Sequence, residues 1–117
     1  MTTFRRGDIV LVVFPNSDLK TGKKRPVIIV DSDDLSTGLS QRIVAMVSSN
    51  LQRADHPSRV MVRLDSEDGK CSGLLFDSVI MTDNLATIMT HELVRVIGHM
   101  PEMASIDEAL SHTLGLE

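Results

Sequence analysis

Four runs of β-branched residues arrive within the first 64 positions: "DIVLVVF" (8–14), "PVIIV" (26–30), "RIVAMVSS" (42–49) and "RVMVRL" (59–64). Each is too short and too branched for a helix, and each is bounded by turn-forming or charged residues. "PNSD" closes the first run, because proline and the turn formers after it cannot continue a strand interior. In the fourth run Val60, Val62 and Leu64 alternate with Arg59, Met61 and Arg63, the period of a half-buried strand. "GLLFDSVIM" (73–81) and "VRVIGHM" (94–100) add two more strands, and "LATIM" (85–89) reads as a short edge strand. Only the end of the chain changes period. After Pro101, residues Met103, Ile106, Leu110 and Leu114 recur at spacings of three and four, with Gly115 as a stop signal. The pattern predicts a mainly β (α+β) fold: a small antiparallel barrel or curled sheet of six to seven strands closed by a C-terminal helix.

At 117 residues the chain suits one domain, 1–117, with one hydrophobic core. Its single cysteine, Cys71, allows no internal disulfide. No apolar run approaches the roughly 18 residues that span a bilayer, and the N-terminal segment lacks a signal-peptide core. These features place the chain in the cytoplasm, with no membrane partner. The formal net charge of -4 conceals an asymmetry. Residues 1–63 carry ten Lys and Arg against six Asp and Glu, while residues 64–117 carry two against ten. A chain polarised in this way can present a basic face to a polyanion while remaining acidic overall.

The densest positive charge is Lys23, Lys24 and Arg25, directly before the strand "PVIIV". Such a run is either a solvated loop or a surface facing an anion. Other polar groups collect at strand ends: Ser48, Ser49 and Asn50 after the third run, Asp83 and Asn84 after the fifth. Strand ends and their loops are where small barrels carry function. Each residue also has a plain structural use: Ser48 as a turn cap, Asp83-Asn84 as an Asx turn, Arg25 as a partner for Asp31 or Asp33. The histidines His56, His91, His99 and His112 have no metal-ligand spacing on one element, so no metal site is expected. No phosphate-binding glycine loop or nucleophile elbow is present, and no cofactor is expected.

Taken in order, "RRGDIVLVVFP", "KKRPVIIV", "RIVAMVSSN", "DSVIMTDNLATI", "RVIGHM" and "MASIDEALSHTLGL" resemble the MazF/PemK (Kid) toxins of bacterial toxin–antitoxin systems over nearly the whole chain. The resemblance implies an SH3-like barrel with a C-terminal helix (CcdB/Kid-like), working as a homodimer. It implies sequence-specific, metal-independent cleavage of single-stranded RNA (mRNA) by 2′-hydroxyl attack, held in check by a cognate antitoxin with an acidic disordered tail that also binds DNA. By the same resemblance Arg25 matches the family's catalytic arginine. Ser48 stands for a threonine that assists it, and Asp83 matches the general base of the Kid branch. Lys23, Lys24, Ser49, Asn50 and Asn84 are the expected RNA-binding residues.

The sequence departs from the family at three places. Asn84 and Ala86 stand where a glutamine and an arginine are frequent, and Met81 stands for the arginine that helps the Kid aspartate. Fewer cations near the scissile phosphate would weaken or alter cleavage. Among the aromatics only Phe4, Phe14 and Phe76 are available to stack on bases, and all three read as core. Two further readings share the fold: a CcdB-like toxin that inhibits gyrase through protein contacts, and a catalytically silent module that binds only an antitoxin.

Overall fold

The computed structural model describes residues 3–15 and 22–116. The turn expected from Asn16 onward in "PNSD" lies outside the described residues, as does the side chain of Phe14. Six strands form one antiparallel sheet: β1 (Asp8–Pro15), β2 (Gly22–Ile29), β3 (Gln41–Ser48), β4 (Arg59–Val62), β5 (Ser78–Met89) and β6 (Leu93–His99). Their spatial order is β4-β5-β3-β2-β1-β6. Among the described residues the α-helices are α1 (Glu67–Ser72) and α2 (Ala104–Leu114).

The central strands read as continuous apolar runs because both of their faces are buried. Ile9, Ile28, Ala45, Val62 and Ile80 point to one side, where Ile106 of α2 and Met100 join them. Val10, Val12, Val27, Ile29 and Val44 point to the other, together with Ile88 and Leu93. Neighbouring residues of β1, β2 and β3 therefore fall into different clusters, as the two-residue period demands.

The sheet is mainly β as expected but is not closed by hydrogen bonds: β4 and β6 remain its two ends. α1 bridges them instead. It leaves β4 and packs on β6 so closely that a Cβ on Gly98 would overlap the backbone of Cys71 and Ser72, and one on Gly73 would overlap Ile97. Gly73 also ends α1 in the left-handed conformation, with φ 73°. This six-residue helix escapes periodicity, although Ser66 caps it and Glu67 and Asp68 begin it.

The strand expected over 73–81 starts only at Ser78, and "LATIM" is no separate strand. It is the second half of β5, joined to the first by an irregularity. Ala45 and Met46 are consecutive in β3, yet they pair with Leu85 and Met81, so Thr82, Asp83 and Asn84 have no partner there. Thr82 anchors this bulge: its N–H and hydroxyl both donate to the Ser58 carbonyl (3.0 and 2.6 Å), and its Oγ1 lies 2.9 Å from Thr113 Oγ1 on α2. The C-terminal helix starts at Ala104 rather than at Pro101, because the Glu102 carboxylate accepts from the Ala104 N–H (3.0 Å) and holds the preceding residues in a turn.

At the opposite edge of the core, Arg42 of β3 binds the Asp31 carboxylate (2.8 Å), the Asp33 carboxylate (2.8 Å) and the carbonyls of Phe4 and Asp31. Arg6 donates to the Val30 carbonyl and pairs with Asp107 of α2. These two arginines lock the N-terminal segment, the β2–β3 connection and the last helix together.

Candidate active site

Lys23, Lys24 and Arg25 lie within β2 itself rather than in a loop before it. They pair with Phe14, Val13 and Val12 of β1 and are exposed. On their other side no strand pairs with them among the described residues. β2 and β3 are paired only from Val27–Met46 to Ile29–Val44. The ladder stops at Pro26, which has no N–H to donate. Beyond it β3 continues with β5, through Val47–Ile80 and Ser48–Val79, so β2 and β3 part company. Continuing their register places Pro26 opposite Val47 and Arg25 opposite Ser48.

A groove of about 750 Å³ opens where the strands separate. Its floor is apolar, from Leu11, Pro26, Met46, Val47, Leu74, Met81 and Ile97. Its polar lining contains Lys23, Lys24, Arg25, Ser48, Ser49, Asn50 and Asn84, so seven of the eight residues singled out from sequence converge there. Asp31 and Asp33 are taken by Arg42, which leaves Arg25 to the groove.

Two cations in the groove were not anticipated. Arg53, in the 3-10 turn Leu51–Arg53 that follows β3, and Arg95 on β6 both line it. Singly each looks like an ordinary surface arginine in the sequence; only the fold brings them beside Arg25. Among the described residues the lining holds five cationic side chains and no carboxylate or imidazole. Met81 lacks the family's arginine but has a cation beside it: an Arg53 guanidinium nitrogen lies 3.8 Å from its sulfur.

Phe76 also departs from expectation. It is 66% exposed and stands at the groove rather than in the core, next to Leu75 at 81%. Its segment is well held: the Ser78 hydroxyl donates to the Phe76 carbonyl (2.8 Å), and Asp77 accepts from the Leu64 N–H (2.7 Å). Phe4 does pack against the second core cluster.

Ser48 caps a turn and faces the groove at once. Its Oγ accepts from the Asn50 N–H (3.1 Å), which leaves its own hydrogen to donate elsewhere. Asn50 in turn caps the 3-10 turn, accepting from the Gln52 N–H (3.1 Å).

Asp83 does not line the groove. Its carboxylate is gripped by Arg59 of β4 through two bonds, Nε to Oδ1 at 3.3 Å and Nη2 to Oδ2 at 2.9 Å. The Arg59 guanidinium holds this carboxyl below the ordinary aspartate range. Among the described residues no cluster of three or more His, Cys, Asp or Glu side chains forms.

The model of the PemK-like, MazF-like toxins of type II toxin–antitoxin systems matches residues 5–114. The chain is 30% identical over 115 residues to the endoribonuclease EndoA of Bacillus subtilis, covering 96% of this chain and 95% of that protein. It is 31% identical over 114 residues to a probable endoribonuclease MazF of Mycolicibacterium smegmatis, covering 96% and 97%. Among solved structures, a mycobacterial endoribonuclease in complex with its cognate antitoxin superposes with a TM-score of 0.76 at 21% identity, over 98% of both chains. The Mycobacterium tuberculosis toxin MazF-mt6 superposes with a TM-score of 0.72 at 24% identity, over 94% of this chain and 98% of that one. From the ordered motifs, the sheet with its C-terminal helix and these full-length matches, the chain belongs to the PemK-like, MazF-like toxins of type II toxin–antitoxin systems.

Proposed function

We propose that the protein is a toxin endoribonuclease that cleaves single-stranded RNA in the groove between β2 and β3. One observation carries this reading: among the described residues, five cations and no carboxylate line the groove, in a protein of net charge -4. Concentrated positive potential over an apolar floor suits a phosphodiester backbone with bases laid against the floor.

The chemistry needs no nucleophile from the protein. The RNA 2′-oxygen attacks the adjacent phosphorus, its proton passing to water, and the bond to the 5′-oxygen breaks. The products are a 2′,3′-cyclic phosphate and a 5′-hydroxyl that takes up a proton from water. Arg25 stabilises the added negative charge of the phosphorane, since its planar fork spans two phosphate oxygens. Ser48 donates its hydroxyl hydrogen to a phosphate oxygen while the Asn50 N–H fixes its orientation. Lys23, Lys24 and Arg95 hold neighbouring phosphates, and Ser49, Asn50 and Asn84 offer hydrogen bonds to bases or sugars.

The protein works in the cytoplasm as a homodimer, and a cognate antitoxin with an acidic segment blocks the groove. Complexes with antitoxins among its structural neighbours support this assignment. The test is incubation of purified protein with a long single-stranded RNA in EDTA. Discrete fragments ending in 2′,3′-cyclic phosphate are expected, and a 2′-deoxy substitution at the cleaved nucleotide abolishes cutting. Intact RNA under these conditions refutes the reading, and gyrase inhibition in its place would favour a gyrase-directed toxin.

A further inference from the structure

The ion pair between Arg59 and Asp83 sits outside the groove, yet it connects to it. Besides gripping Asp83, Arg59 donates from Nη1 to the Arg53 carbonyl at 3.0 Å. That carbonyl closes the 3-10 turn whose N–H bond from Arg53 to the Asn50 carbonyl measures 3.2 Å. The Arg53 guanidinium then reaches over Met81 into the groove. Asp83 thus fixes Arg59, Arg59 fixes the backbone of Arg53, and Arg53 offers its charge to whatever occupies the groove.

We propose that Arg53 is a phosphate-contacting catalytic residue, and that Asp83 serves as its positioning residue through Arg59 rather than as the proton acceptor. The inference rests on the ribonuclease reading for its chemistry. Three features favour it. Asp83 has both carboxylate oxygens engaged by Arg59. A carboxylate held below its ordinary range is a weak base for a reaction at neutral pH. Arg53 presents a guanidinium beside Met81 in the groove that Asn84 also lines. The thioether accepts only a weak hydrogen bond, so the remaining N–H groups keep their capacity for phosphate oxygens.

The experiment compares wild type with Arg53→Ala, Arg53→Lys, Asp83→Asn and the Arg53→Ala, Asp83→Asn double variant. Two readouts are taken: single-turnover cleavage from pH 5 to pH 8, and salt-dependent binding of a non-cleavable 2′-O-methyl RNA. Arg53→Ala should cleave on the order of 10²-fold more slowly, and its slope of log affinity against log salt should fall by about 0.7, one phosphate contact on a single strand. Arg53→Lys should restore the slope, because the point charge remains. Asp83→Asn should lose about 10-fold, typical for a partner that orients a functional group, with an unchanged pH profile. In the Arg53→Ala background it should add no more than about 2-fold. Wild-type rate and slope in Arg53→Ala would overturn the proposal. So would a full Asp83→Asn loss in the double variant, or disappearance of an acid limb in Asp83→Asn, which would return Asp83 to proton acceptance. If wild type leaves RNA uncut, the ribonuclease reading falls, and the binding slope alone decides whether Arg53 contacts phosphate.

Discussion

The register of β2 and β3, continued two rungs beyond their last pair, Val27 and Met46, sets Arg25 against Ser48, and both line the groove. The strands that would have joined them diverge, so both side chains border the same opening while their backbones are held by other strands, β1 for Arg25 and β5 for Ser48. A site built this way is rigid without being filled, which is what preorganised charge stabilisation requires.

Replacing Arg25 by Ala should therefore lower turnover by on the order of 10²–10³, with a much smaller loss of RNA affinity, which the remaining cations sustain. Because Arg25 is exposed, unfolding stability should change by no more than about 0.5 kcal/mol. Arg25→Lys should recover little, since an ammonium cannot form the two-bond fork. Single-turnover cleavage and melting temperature on the same preparations check all three; a folded Arg25→Ala protein cutting at the wild-type rate removes Arg25 from the chemistry.

Ser48→Thr should retain activity within a few-fold, because the hydroxyl and its acceptor role toward Asn50 survive. Ser48→Ala loses a hydrogen bond to a charged phosphate, about 1.5–3 kcal/mol, or roughly tenfold to 150-fold in cleavage rate. Equal rates for the two variants would show that the hydroxyl serves only the turn.

The strands were legible because two buried faces turn them into unbroken β-branched runs, and α2 was legible from Met103, Ile106 and Leu110. The groove was only partly legible. Lys23, Lys24 and Arg25 stand next to each other in the sequence, but Arg53 and Arg95 reach them only because β2 and β3 separate and β6 flanks β1. The setting of Asp83 depends on Arg59, 24 residues away, and on a bulge that no local pattern announces. Phe76 was assigned to the core on hydrophobicity alone. What exposes it is the late start of β5, set by Asp77 and Ser78 bonding to the backbone around it.

Arg42 should matter for folding rather than for cleavage. Its removal leaves the Asp31 carboxylate, 6% exposed, without its ion-pair partner. Breaking a buried pair costs about 3–5 kcal/mol; the lower end is expected here because Asp33 is half exposed. Partial burial pushes the Asp33 carboxyl up, but hydrogen bonds from Arg42 and the Arg6 N–H outweigh it and hold it below the ordinary value. Its contribution is thus present above the ordinary aspartate range and fades as pH falls through the lower folded value. Urea unfolding should show Arg42→Ala destabilised at pH 7 and less sensitive to acid than wild type. Equal midpoints at pH 7 would show the cluster to be dispensable.

An acidic antitoxin segment entering the groove would meet Lys23 and Lys24 first, since both are exposed at the start of β2. Reversing both charges in a Lys23→Glu, Lys24→Glu variant should slow association with the antitoxin more than it speeds dissociation, and the effect should shrink at high salt. Association rates measured at low and high ionic strength check this. An unchanged rate at low salt would place the antitoxin elsewhere.

Phe76 offers the groove's one described aromatic surface, and its exposure makes the prediction sharp. A ring that is 66% in water contributes little to folding, so Phe76→Ala should leave unfolding stability within about 0.5 kcal/mol. If a base stacks on it, the same change should weaken RNA binding by about 1–3 kcal/mol. Because stacking uses the face of the ring and not its charge, the salt dependence of binding should stay as in wild type, in contrast to Arg53→Ala. Phe76→Trp should bind at least as well as wild type, and Phe76→Leu, which keeps the apolar area without the flat face, should resemble Ala. Titrating a 2′-O-methyl RNA against the three variants at two salt concentrations separates these effects. If Leu binds as well as Phe, the residue supplies only apolar contact. If all three bind as wild type while antitoxin affinity drops, the exposed ring belongs to the antitoxin interface and not to the RNA path.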